Sequence, residues 1–207
     1  MTFGSKGRNS GSSGTFGSGM IAELRAYWEA LREGDRLPRR DRVDPRGIAG
    51  ALEHSFLIER IAPGIARFRI AGMVFNDLMS MDIRGMPVSC LFLGDARDRL
   101  QLDLERVFRA PAILTLDLLA ERSLGRAPLR GRMQFLPMLG QQDDSSLAIG
   151  CLELDGDIGR APRRFSISAT RLEPLQSAAP ARPLPEPAPP RPPRAKPGVP
   201  HLRLVKV

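Results

Sequence analysis

The sequence predicts an α+β domain in which a helical segment interrupts an antiparallel sheet. Residues 55–71 form a strand, turn and strand pattern, in which Phe68 and Ile70 alternate with arginines. A period of two is typical of a strand with one face in solvent. A helix-like stretch of about 40 residues follows, and alternating stretches return after it. With a helix before the hairpin, the predicted order is helix, two strands, helical insertion and three main strands.

The N-terminal helix is predicted over residues 20–33. Ile21, Leu24, Trp28 and Leu31 recur there at helical spacing, and such an apolar stripe has to be buried somewhere. Two uses are open for it. Leu24, Trp28 and Leu31 form a dimer interface with a neighbour's helix, or they pack on their own sheet.

Helix signals also mark the segments on both sides of the hairpin. Asp44 and Pro45 suit an N-cap followed by proline at the first helical position, which predicts a short helix to about Leu52. Within the insertion, residues 73–81 and 95–109 have the apolar spacing of helices.

Alternation of apolar and polar side chains returns after the insertion. The intervening segments are polar and contain glycine or aspartate, as turns do. The four stretches that we expect to be extended are 113–121, 129–138, 147–154 and 165–172.

Composition divides the chain into three parts. Residues 1–19 contain six glycines and five serines, which predicts a disordered Gly/Ser-rich tail. Residues 176–207 are rich in proline and arginine and predict a second disordered tail. Of the net charge of +8, the first tail carries +2 and the second +5, which leaves +1 for the domain over residues 20–175. The basic character therefore belongs to the tails and says little about the domain's ligand.

Several classes of protein are excluded by the same numbers. No run approaches the roughly 18 apolar residues of a spanning helix, and the N-terminus lacks the pattern of a secretion signal. Two cysteines cannot build a disulfide framework, so we expect a reducing cytoplasm. Two histidines and two cysteines also argue against a zinc or iron–sulfur site.

Four segments in this order resemble the single-domain PAS family of alphaproteobacteria. They are PRRDRVDP at 38–45, FLIE at 56–59, RFRIAG at 67–72 and DIRGMP at 82–87. The resemblance covers about residues 20–175. It implies a PAS-like five-stranded antiparallel sheet, with the helical insertion after the first hairpin and an N-terminal helix.

In this fold the sheet and the insertion enclose an apolar space, which is either a ligand pocket or simply close-packed core. Ten side chains are the candidates to line it: Phe56, Ile58, Phe68, Ile70, Phe75, Leu78, Met79, Leu116, Met133 and Phe135.

The polar residues offer little chemistry. Light-sensing relatives of the fold carry a cysteine after the insertion's glycine, but the run at Cys90 lacks the Asn and Arg of that motif, so we expect a packing thiol. Residues 73–110 contain no histidine, and His54 lies outside the insertion, so no haem ligand is expected. The acidic pairs at 143–144 and 155–157 fit turns. We therefore expect no catalytic residue, no metal site and no cofactor.

The resemblance implies a cytoplasmic regulatory or sensory protein that is not an enzyme. We expect it to act through protein contacts, as a homodimer and with an unidentified protein partner, with or without a small apolar ligand. No kinase, cyclase or DNA-binding domain is recognised after residue 175, so we expect any output to act through a partner, through dimerisation or through the tail itself. The alternative is a nucleic-acid-associated protein that binds phosphates through its basic tails. Nucleic-acid binding by the nearly neutral domain itself is not expected.

Overall fold

The computed structural model describes residues 19–122, 125–141 and 144–175. The predictions about the tails at 1–18 and 176–207 lie outside these residues. The helices are α1 Met20–Ala30, α2 Met73–Met79 and α3 Gly94–Arg109, with 3₁₀ segments at Arg40–Arg42, Pro45–His54 and Val88–Leu91. The strands are β1 Ser55–Ala62, β2 Ile65–Ala71, β3 Ala112–Ala120, β4 Arg130–Met138, β5 Leu147–Asp155 and β6 Phe165–Pro174.

The six strands of the described residues form one sheet in the order β2-β1-β5-β4-β3-β6. Every neighbouring pair is antiparallel. The early hairpin and the late strands are joined by the pairing of β1 with β5, so the insertion does interrupt a single sheet. The predicted α+β class is confirmed. The sheet has one strand more than the five expected, because β6 pairs along β3 from Ala120↔Phe165 to Ala112↔Pro174.

Helices cover both faces of this sheet. The inner face packs against α2, the 3₁₀ segment Val88–Leu91 and α3, and the outer face packs against α1 and the 3₁₀ segment Pro45–His54. Successive residues of the central strands therefore enter different cores: Phe135 is buried on the inner side and Leu136 on the outer side. Burial on both faces explains the apolar runs at 135–138 in β4 and at 147–152 in β5.

The predicted helices are present with small shifts at their ends. The Asp44 side chain accepts a 2.9 Å hydrogen bond from the Arg46 amide, as an N-cap does. The helix that follows is 3₁₀ and is interrupted at Ile48, which has φ −129° and ψ 28°. Helix α2 ends before Ser80, whose φ of 54° is left-handed and stops the helix. No helix among the described residues is long and apolar enough to cross a membrane.

Candidate functional site

Aromatic rings fill the centre of the inner core. The Phe56 ring centroid lies 5.9 Å from that of Phe68, 5.6 Å from that of Phe75 and 5.2 Å from that of Phe135, in edge-to-face geometry. Such contacts add to the free energy of burial. Gly150 makes room for them, because it lies between Phe56 and Phe135 in the sheet register.

Nine of the ten predicted pocket residues belong to this inner core. They are all under 7% exposed. The nine are Phe56, Ile58, Phe68, Phe75, Leu78, Met79, Leu116, Met133 and Phe135.

Ile70 is the exception, since it lies on the outer face and is 52% exposed. Phe68 pairs with Ile58 and Ile70 pairs with Leu57, so Arg69 is an extra residue in β2 at this point. A bulge of this kind reverses the side of the sheet on which the following residues lie. The prediction that Ile70 lines the inner pocket together with Phe68, which followed from their alternation, was therefore wrong.

The α1 stripe packs on its own sheet. Leu24 and Trp28 are buried in the outer core and Leu31 is half-buried. The Trp28 indole Nε1 donates a 3.0 Å hydrogen bond to the carbonyl oxygen of Pro137 in β4. Of the two uses that the sequence left open, the structure shows the intramolecular one. Leu24 and Trp28 are not available as a dimer surface while α1 is docked.

Two polar contacts, which the sequence pattern did not reveal, also hold α1. The Glu153 carboxylate in β5 accepts a 2.9 Å hydrogen bond from the Ile21 amide at the start of the helix, where a negative charge is favourable. Arg25 forms a 2.7 Å ion pair with Glu173 in β6. The ion pair lowers the pKa of Glu173.

A cavity of about 540 Å³ lies on the outer face, beside the 3₁₀ segment Pro45–His54. Leu57, Ile70 and Ile149 line it from the sheet, and Arg39 and Arg40 line it from the connector before that segment. Both arginines belong to the segment at 38–45, whose sequence does not by itself predict a site. They join the strands only through the tertiary fold.

Neither thiol is placed as a nucleophile. Burial raises the pKa of Cys90 to about 11 and that of Cys151 to about 12, so both are protonated at neutral pH. His54 Nδ1 lies 2.8 Å from the Leu152 carbonyl oxygen, which occupies that ring nitrogen. The described residues contain no group of three His, Cys, Asp or Glu side chains that could hold a metal.

Arg163 is a buried cation that sequence reasoning missed, and it is 1% exposed. Its guanidinium donates hydrogen bonds of 3.0 Å to the Ile158 carbonyl and 2.9 Å to the Ala127 carbonyl. It thereby ties together the two segments that precede β4 and β6. Its amide also donates to the Leu78 carbonyl at the end of α2, at 2.7 Å.

One family model matches this chain, and a solved structure resembles it. No curated protein sequence matches the chain. Among solved structures, the crystal structure of the Rhodobacter sphaeroides LOV protein is similar, with 16% identity and a TM-score of 0.39 over 68% of this chain and 69% of that chain. A PAS domain family model matches residues 18–153, from the start of α1 into β5. Because that match covers more than half of the sequence, this chain belongs to the PAS domain family.

Proposed function

We propose that this PAS protein is a cytoplasmic regulatory module that acts through protein contacts, as a homodimer, and that it is not an enzyme. Its family supports a sensory or regulatory role. The finer part of the proposal is carried by one observation, a set of exposed apolar side chains at the tip of the first hairpin and on the adjacent helix.

This surface, the hairpin-end patch, consists of Ile61, Ile65 and Leu102. Their exposed fractions are 47%, 38% and 67%. Ile61 and Ile65 flank the turn between β1 and β2, and Leu102 lies on α3. The turn that Ile61 and Ile65 flank rests on α3, and exposed apolar side chains on two contacting elements are candidates for a protein interface.

The hairpin tip is held against α3, so the patch has a defined shape. The Gly64 amide donates a 2.7 Å hydrogen bond to the Glu105 carboxylate, and Arg60 forms a 2.7 Å ion pair with the other oxygen of that carboxylate. A Cβ at Gly64 would lie 2.8 Å from the Gln101 carbonyl oxygen, so the turn rests directly on the helix backbone. A preorganised surface loses less conformational entropy when it binds.

The remaining observations are consistent with a binding role. Both cysteines are free and protonated, which favours a packing role in a reducing compartment over catalysis. A small apolar ligand at the inner face would have to displace the phenylalanine rings that meet around Phe56. The filled inner core therefore favours protein contacts over a ligand at the inner face.

The test is the oligomeric state of the full chain by sedimentation equilibrium, at concentrations up to about 100 μM. We expect a dimer whose dissociation constant rises about tenfold or more in Leu102→Asp, because a charge would replace an apolar side chain that dimerisation buries. Leu119→Asp is the matched control, since Leu119 is also exposed, at 40%, but lies on β3. A chain that stays monomeric throughout, or equal effects of the two substitutions, would contradict the proposal.

A further inference from the structure

Three strands supply an apolar floor to the outer-face cavity. Leu57 of β1 pairs with Ile70 of β2 on one side and with Ile149 of β5 on the other, so the three side chains form a row across the sheet. Leu57 and Ile149 are buried, whereas Ile70 at the edge strand is 52% exposed. The cavity of about 540 Å³ over this row is within the range of small-molecule sites, about 300–1,000 Å³.

The wall of the cavity is the 3₁₀ segment Pro45–His54, which contributes Ile48 and Leu52. This wall is supported from behind by α1. A Cβ at Gly47 would lie 2.8 Å from Tyr27 Cδ2, so the backbone of the segment directly contacts the Tyr27 ring of α1. Leu52 is 46% exposed although it lines an apolar cavity. Leu52 and Ile70 thus leave an apolar surface open at the same end of the groove.

The other end of the groove is polar and positively charged. The connector lies against the end of β4, because the Arg40 amide donates a 3.2 Å hydrogen bond to the Leu139 carbonyl. Arg39, Arg40 and Asp41 line the cavity there. Arg39 Nε is 3.5 Å from Asp41 Oδ1, so that carboxylate is already paired. Within the described part of the chain, the Arg40 guanidinium has no hydrogen bond or ion pair and is exposed.

We propose that this groove binds a linear anionic amphiphile, of which a medium-chain fatty acid is the simplest example. The carboxylate lies beside Arg40, and the acyl chain runs over Ile149 and Leu57 to Ile70. From β4 to β2 the groove crosses three strand spacings, about 14 Å, which an extended chain of about twelve carbons spans. Ligand atoms over Ile70 and Leu52 would remove from water the apolar surface that the protein leaves exposed.

Charge complementarity favours this occupant over the chain's own C-terminal sequence. Residues 176–207 carry a net charge of +5, which the arginines at the polar end would repel. The inner core is a separate place, since the sheet lies between it and the groove. The proposal therefore does not depend on dimerisation, and the two can fail independently.

The test uses the full chain and an undecanoate that carries a dansyl group at the end of its chain. Trp28, the only tryptophan, packs in the same outer core as Leu57 and Ile149, so energy transfer from its indole to the dansyl group reports binding near the groove. Dodecanoate and dodecanol are then titrated as competitors. Dodecanol has the same chain without the carboxylate.

We expect saturable binding that dodecanoate reverses. Ile70→Asp should weaken the binding of both competitors about tenfold or more, because it places a charge in the apolar floor of the groove. Arg40→Gln should weaken the binding of dodecanoate about two- to fivefold, as expected for the loss of an exposed ion pair, and should leave the binding of dodecanol unchanged. Leu119→Asp is the matched control for an exposed apolar residue outside the groove and should leave the binding of both competitors unchanged. Unchanged affinity in Ile70→Asp, an equal loss of affinity in Leu119→Asp, or binding only above the micelle concentration would overturn the proposal.

Discussion

Gly150 offers a direct test of how the inner core is built, because Gly150→Ala adds one methyl group where two phenylalanines meet. In the register, Gly150 lies opposite Phe56 on β1 and opposite Phe135 on β4. A Cβ there would lie 2.6 Å from Phe56 Cε2 and even closer to the Gln134 carbonyl oxygen. Carbon atoms in good contact are about 3.5–4.0 Å apart, so the ring would have to move by about 1 Å.

Neither neighbour can move freely. The Phe56 ring is held by three other rings, and Gln134 is held in the β4–β5 ladder. Overpacking of this kind costs about 1–3 kcal/mol, and two fixed neighbours place the expected loss near the upper end, about 3 kcal/mol. For a domain of this size that loss corresponds to a melting temperature about 6–12 °C lower.

The assay is equilibrium unfolding in urea, with Gly131→Ala as the matched control. Gly131 is also a strand glycine, but the nearest atom to its added Cβ is a flexible Leu152 methyl group at 3.3 Å. The control measures the ordinary gain in chain entropy from alanine, about 0.4–1 kcal/mol. In a Phe56→Leu background the effect of Gly150→Ala should shrink by about 1 kcal/mol, because the clash with the ring is removed. Equal stability of the Gly150 and Gly131 variants would refute this account of the core.

Three further predictions concern charged and thiol groups. Arg163→Met should cost about 3 kcal/mol of unfolding free energy, because it leaves two buried carbonyls without donors, whereas Arg160→Met, at an exposed position, should cost little in the same urea titration. The hydrogen bond from Arg69 lowers the pKa of Glu59 from 4.5, so this contact stabilises the fold above about pH 4.5 and its contribution is lost as the pH falls. Glu59→Gln should therefore flatten the acid side of a plot of unfolding free energy against pH. In Cys151→Ser, Cys90 should react with a disulfide reagent at pH 7.5 about a hundredfold more slowly than it does in denaturant, since its pKa is about 11 instead of 9.0.

Local patterns predicted most of the elements. The Asp44–Pro45 signal, the period of two and the helical spacing at 95–109 depend on neighbours within a turn or a strand, so they can be recognised without the fold. The resemblance to the PAS family rested on the order of these elements and on four sequence segments, and the family match confirms it. The 3₁₀ form of Pro45–His54 and its interruption at Ile48 were not predictable in this way, since no local pattern in the segment marks them.

The candidate site was predicted only in part. Nine of the ten pocket residues share the inner core because regular alternation continues through their strands. Ile70 does not, because the extra residue Arg69 changes the side of the sheet, and a bulge has no strong signature in a single sequence. The same uncertainty affected the α1 stripe, where apolar spacing identified Leu24 and Trp28 as buried without showing what covers them.

The amino-acid sequence alone indicates which segments are helical or extended and which side chains are apolar enough to be buried, because these properties follow from local backbone preferences and from the periods of 3.6 and 2 residues. The resemblance to the PAS family comes from four sequence segments and from the order of the elements. Three features depend on the tertiary fold: Ile70 faces outward, Arg163 bridges two distant loops, and Arg40 lies at the end of a groove floored by Leu57. Strand register and helix docking bring together residues that are far apart in the chain, and no local period encodes those contacts.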